Sequence, residues 1–298
     1  MNKKAINWIL LLVLSLIWGS SFILMKRGLE VYSSDEVAAL RILIAFLFLL
    51  PLVFKYVKRS HLKHWKAFLV TGTLGNFIPA FLFTKAETGI SSSLAGMLNS
   101  LTPLFTLVLG ILFFQLKTKR INIIGVMIGF IGAVGLVSVG SSANSTDNFL
   151  FAFYIMIATI CYAISVNVIK KYLHEVNSIA ATIWTMLFIG ALAFVYLFGF
   201  THFTVRLTTN IPAVSSLGFI SILAIFGTAI SVIFYNVLIR RTNSLFSASV
   251  NYLIPFVAIA WGALDGETIK AAHLLWIALI LLGVYWVNKK ITRLNTVV

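Results

Sequence analysis

Apolar residues gather in long runs along this chain, and polar residues collect in the short joins between them. A helix needs about 20 mostly apolar residues to cross the hydrocarbon of a bilayer. Ten such runs occur, at 5–25, 37–57, 67–86, 93–115, 120–139, 149–169, 178–200, 213–239, 244–264 and 271–288. The pattern predicts an all-α integral membrane protein with ten transmembrane helices, and the joins leave no room for a soluble domain. MNKK before the first run and Gly19-Ser20-Ser21 near its end have the outline of a secretory signal. The length of that run and the nine spans after it predict an uncleaved first helix instead.

Composition agrees. Of 298 residues, 60% are hydrophobic and 10% charged, with mean hydropathy +1.01; soluble domains carry roughly 45–50% and about 25%. The net charge of +15 brings no basic helix or aromatic-interleaved basic face with it, so a nucleic-acid partner is not expected. The basic residues record orientation. With a cytoplasmic N-terminus, 17 of 23 lie on the cytoplasmic side, in joins such as Lys55 to Lys66, Lys117 to Arg120 and Lys289 to Arg293. The other side receives Lys26, Arg27, Arg41, Lys85, Arg206 and Lys270. That bias predicts that both termini are cytoplasmic, and a bacterial-type plasma (inner) membrane is the expected location. The stretch 140–148, GSSANSTDN, has no basic residue and reads as an outer connection.

The second half of the chain repeats the first. At an offset of 152, Gly75 meets Gly227, Phe83 meets Tyr235, Asn99 meets Asn251, Pro103 meets Pro255, Gly110 meets Gly262 and Gln115 meets Glu267. Near the start of each half the offset is 144, where Trp18 faces Tyr162 and Lys26 faces Lys170. Residues 1–140 and 149–298 are then two five-helix repeats joined by an outer linker, 141–148. Five is odd, so the second repeat enters the membrane from the opposite face. Two inverted five-helix repeats are a frequent plan of secondary transporters.

Trp18-Gly19-Ser20-Ser21-Phe22 and the repeated fourth span, with its proline, glycine and then Gln115 or Glu267, resemble the EamA-type, ten-helix branch of the drug/metabolite transporter superfamily. The resemblance covers essentially the whole chain. It implies a transporter, with spans one, three, four, six, eight and nine lining a central path. Gln115 departs from the family pattern, which often has an acid there, so a role for that acid is expected of Glu267 alone or of neither.

Asn99 and Asn251 each lie four residues before a proline. A proline inside a helix donates no backbone hydrogen bond and crowds the carbonyl four residues earlier. Each bend is thus expected to place a freed carbonyl beside a side-chain amide, facing protein, water or ligand rather than lipid. Candidate substrate-binding residues are Trp18, Asn76, Phe83, Asn99, Tyr162, Asn167, Tyr235, Asn236 and Asn251, with Pro103 and Pro255 as hinges. Arg41 and Lys85 are candidate charge contacts near the outer ends of spans two and three, and snorkelling to water or mutual pairing is the expected fate of each. Gly125, Gly129, Gly132 and Gly283 read as surfaces for close helix contact.

Cys161 stands alone, so neither a disulfide nor a metal site is expected. No phosphate loop, HExxH or nucleophile motif appears, so no catalytic residue, cofactor or enzyme activity is expected. No acid lies at the middle of a span, which disfavours proton antiport of lipophilic cations. The expectation is a secondary transporter, an exporter or permease of a small organic metabolite such as an amino acid, working by alternating access as a monomer or homodimer. The alternative is a flippase or permease for a lipid-linked or nucleotide-linked sugar.

Overall fold

The computed structural model of the protein describes residues 3–115, 119–140, 146–209, 212–242 and 244–288. Its main helices are α1 (Lys3–Leu29), α2 (Ser34–Tyr56), α3 (Ser60–Ala86), α4 (Ser92–Phe114), α5 (Arg120–Gly140), α6 (Thr146–Tyr172), α7 (Ser178–Phe200), α8 (Ala213–Arg241), α9 (Phe246–Leu264) and α10 (Ala271–Asn288). Among the described residues eight helices are long and apolar enough to cross a membrane. The apolar stretches of α5 and α10, Arg120–Leu136 and Ala271–Trp286, are shorter. No strand occurs among the described residues. The predicted outer linker is partly helical, because α6 begins at Thr146. Its residues 141–145, like Lys117, Lys289, Lys290 and Arg293, lie outside the described residues.

Local chemistry sets the helix ends. Before α2, the Ser33 hydroxyl accepts from the Glu36 amide and the Glu36 carboxylate accepts from the Ser33 amide. This capping box satisfies two otherwise orphaned donors. Ser91 caps α4 through the Leu94 amide, and Asn177 caps α7 through the amides of Ile179 and Ala180. Gln115 closes α4 with the left-handed backbone that helix ends adopt, φ 55°.

Four helices are irregular inside, and the irregularities come in pairs. α4 tightens to a 3-10 turn at Asn99–Leu101 and resumes as α-helix at Thr102, with Pro103 in the new first turn. α9 does the same at Ser249–Tyr252, with Pro255 opening the next segment. Each proline therefore sits where its missing N–H is not needed. α3 widens to a π-helix at Thr73–Phe77, and α8 at Ile225–Ile230. The starts of the two π segments are 152 residues apart, although nothing in the residue pattern had marked them.

Two main apolar clusters hold the bundle. One joins α1, α4, α5, α6, α9 and α10 with parts of α3 and α8, and the other joins α2, α3, α7 and α8. Apolar side chains such as Met127, Ile131, Val195 and Phe198 stay exposed on the perimeter, where a bilayer covers them. The glycine ridge of α5 packs against α10 of the same chain. A Cβ on Gly283 would lie 2.5 Å from both the Gly125 carbonyl oxygen and the Gly129 nitrogen. Those are backbone atoms and cannot swing aside, so Gly283→Ala is expected to cost about 1–3 kcal/mol. A lowered unfolding temperature of the detergent-solubilised protein checks this.

Candidate functional site: a central cavity closed at one end

The irregular segments converge on one cavity. Glycine at the π segments permits close helix approach: a Cβ on Gly75 would come within 2.3 Å of Ser165 Oγ, and one on Gly227 within 2.8 Å of Ser21 Oγ. Ser21 and Ser165 are themselves 144 residues apart, so each half supplies the small residue that admits the other. Aromatic rings cross in the same way. Trp18 meets Tyr235 edge to face at 4.9 Å, and Tyr162 stacks on Phe83 at 5.9 Å. The Trp18 indole also donates to the Gly227 carbonyl and the Ser231 hydroxyl, each at 3.0 Å.

Eight of the nine expected binding residues line this cavity: Trp18, Asn76, Phe83, Asn99, Tyr162, Tyr235, Asn236 and Asn251. Asn167 is not in its wall; its amide donates to the Thr106 and Ala163 carbonyls between α4 and α6. Pro103 and Pro255 stand behind the wall rather than in it. The two asparagines meet: Asn99 Nδ2 donates to Asn251 Oδ1 at 2.9 Å, and Asn251 Nδ2 to the Ala248 carbonyl. The Asn99 carbonyl is not left free for a ligand as expected, because Thr102, between asparagine and proline, donates its hydroxyl to it at 2.8 Å. Asn236 differs. Its Nδ2 donates to Thr182 Oγ1, whose own hydrogen goes to the Ser178 carbonyl. That chain fixes the amide's orientation and leaves Asn236 Oδ1 buried without a partner.

Arg41 departs from the expected snorkelling. It lines the cavity, with Nε donating to Thr228 Oγ1 at 2.7 Å and Nη1 lying 3.8 Å from the Met25 sulfur. No carboxylate pairs with it among the described ion pairs. Lys85 does reach outward and is exposed. Thr228 belongs to the π segment of α8, which turns its hydroxyl toward α2 and holds the guanidinium over the cavity.

At the Arg41 end of the bundle, outside the residues that line the cavity, stands a charged lock. Lys26 Nζ lies 2.6 Å from Asp265 and 3.0 Å from Glu267, and Arg27 pairs with Asp265. Glu267 also accepts from the Ser92 amide and hydroxyl and from the Ser93 amide at 2.8–3.1 Å. Those amides open α4, where orphan donors and the helix dipole favour an anion. Burial alone would raise the Glu267 pKa, but the hydrogen bonds from Ser93, Lys26 and Ser92 outweigh it and hold the carboxyl at about 2. That lies below its ordinary value of 4.5, so the lock contributes stability above about pH 4.5 and loses it as pH falls toward 2. Wild-type protein should thus lose thermal stability across that window, and Glu267→Gln should lack that part of the loss in a pH series of melting curves.

The opposite end has no such lock among the described residues. Lys170, the counterpart of Lys26, donates to the carbonyls of Ile239 and Thr242. The cavity wall runs toward this end through Ile169, Leu173 and Ala181. Apolar helices around a largely apolar chamber with amides and a guanidinium in its wall, and an ion cluster at one end of the bundle, define a membrane transport protein.

Sequence comparison carries this further. The model of the EamA-like transporter family matches residues 6–138 and 150–289, and the chain belongs to that family. It is 28% identical over 274 residues to the uncharacterized inner membrane transporter YedA of Escherichia coli K12, covering 90% of this chain and 85% of that one. It is 26% identical over 287 residues to the uncharacterized transporter YyaM of Bacillus subtilis 168, covering 93% and 92%. A probable amino-acid metabolite efflux pump of Salmonella typhimurium LT2 is 27% identical, with 96% and 95% covered. A crystal structure of another protein shares the fold, with TM-score 0.69 at 15% identity over 96% of this chain and 97% of that one.

Proposed function

We propose that the protein moves a small carboxylate-bearing metabolite, an amino acid in the first instance, through the central cavity by alternating access. In this reading ten spans form two inverted five-helix halves, and both termini are cytoplasmic. The mouth barred by Glu267 then faces outward, and the cavity is accessible from the cytoplasmic side. The observation that carries the reading is Arg41, a half-buried guanidinium on the cavity wall with no acid partner among the described ion pairs. An unpaired buried charge is costly, and a solute carboxylate bound in its fork removes that cost with two charge-assisted hydrogen bonds. Trp18, Phe83, Tyr162 and Tyr235 supply the apolar surface for the rest of the solute. Asn236 Oδ1, about 12 Å further along α8 than Thr228, is an acceptor for a polar group at its far end. The amino-acid name of the Salmonella relative agrees with a zwitterionic cargo.

Rearrangement follows from the same parts. Opening the barred mouth breaks the Lys26 and Arg27 pairs, and closing the other mouth brings α6 and α8 together near Lys170. The broken turns at Pro103 and Pro255 and the π segments are where the backbone yields. Proteoliposomes preloaded with amino acids should take up labelled amino acids in exchange. Absence of exchange across a full panel by folded protein would remove the amino-acid reading, and movement of a labelled lipid-linked sugar in the same vesicles would favour a flippase.

A further inference from the structure

One acid has no place in the scheme above. Glu87 follows the last residue of α3, and its amide donates to the Phe83 carbonyl. It stands one turn beyond a ring of the cavity wall, roughly 6 Å along the axis and on the same face. An edge of the residue reaches the surface, yet both carboxylate oxygens are buried and neither has a hydrogen-bond partner. Glu267, in the neighbouring lock, is the reverse case, with donors on both oxygens. Two carboxyls whose surroundings drive them apart take different protonation states. The donors around Glu267 favour its anion, and the donor-free burial of the Glu87 oxygens favours its protonated form.

We propose that Glu87 is a proton-binding site whose protonation frees Arg41 for the solute, so that solute and proton travel together. The proposal rests on the reading of Arg41 as the carboxylate site. The charged and titratable groups around Glu87 are Arg41 from α2, Lys26 from α1 and Glu267 from the lock, with Tyr162 of α6 beside Arg41. Lys85 on its own helix points outward. Lys26 is committed to Asp265 and Glu267. Arg41 is therefore the facing cation available to Glu87 when the acid ionises. Burial, with the Glu267 charge adding to it, holds the Glu87 carboxyl well above the usual carboxylate range, against the pull of Arg41 and Lys26.

The coupling is electrostatic. An ionised Glu87 competes with the solute carboxylate for Arg41; a protonated Glu87 does not. A carboxylate bound at Arg41 in turn cancels the charge that favours ionisation, so solute and proton each raise the other's affinity by the same factor. The proton enters from water on the side to which the cavity is open and leaves to water on the other. A proton gradient then drives solute in the proton's direction.

The test uses the full-length protein, wild type and Glu87→Gln, with mixed radiolabelled L-amino acids as probe. Infrared spectra at neutral pH should show the carbonyl stretch of a protonated carboxyl in wild type that Glu87→Gln lacks. Wild-type exchange should rise about tenfold from alkaline to acid pH. In Glu87→Gln, whose amide imitates the protonated acid, exchange should be flat with pH and uptake driven by a pH gradient should disappear. Identical spectra of the two proteins in the carboxyl region, or a variant with the wild-type pH profile and gradient-driven uptake, would overturn the proposal. If Glu87→Gln misfolds, Glu87→Asp, which keeps a carboxyl and shifts its band, assigns the wild-type band to this residue. A protein that shows the protonated band but exchanges no amino acid would support the proton site and remove the cargo reading.

Discussion

Arg41→Gln is expected to lower exchange of carboxylate solutes by about 100-fold or more while leaving the protein as stable as wild type or slightly more so. Hydrogen bonds to a charged group are worth about 1.5–3 kcal/mol each. Losing two of them from a solute carboxylate removes at least two powers of ten in binding. Stability moves the other way, because among the described residues the guanidinium has Thr228 and Met25 as its partners, and partial burial without a counter-ion is unfavourable. A residue whose removal costs function and not stability is the expected mark of a binding group. Arg41→Lys keeps the charge and loses the planar fork, so it should retain part of the exchange. Full exchange by Arg41→Gln, or a large fall in its melting temperature, would show that Arg41 serves packing instead.

Asn99→Leu and Asn251→Leu should each cost about 1–3 kcal/mol, since each takes the partner from one buried amide atom of the other asparagine, and the double variant should cost less than the sum of the two. The reason is the 2.9 Å bond between them, which the spacing to proline did not reveal. Substitution at either site alone therefore damages folding as well as flux. Exchange in the double variant, normalised to folded protein, isolates the contribution to the cavity. A coupling energy of zero in the melting series would mean that the two amides do not act as a pair.

Much of the bundle was legible because hydropathy and repetition are one-dimensional signals. The long apolar helices could be placed, although eight rather than ten are long and apolar enough to cross a membrane among the described residues, and Asn99 with Asn251, or Phe83 with Tyr235, could be paired by their spacing alone. What escaped depends on which side chain meets which. Thr102 reads as an ordinary hydroxyl, yet it occupies the carbonyl that proline frees. The π segments have no composition of their own: TLGNF and IFGTAI look like any apolar helix. Arg41 and Lys85 both lie near span ends in the sequence. Only the placement of Thr228 shows that one is held inward while the other reaches out. Glu87 was visible as an acid beside Lys85, but its lack of donors is a property of its neighbours.

Among the described residues the charged lock stands at one mouth, and Glu267 has Gln115 as its counterpart. A scaffold built from two copies of one plan would otherwise rest with equal ease facing either way. In the proposed cycle, an amide in place of the acid at a single position would remove that degeneracy and give the empty carrier a preferred side on which to wait.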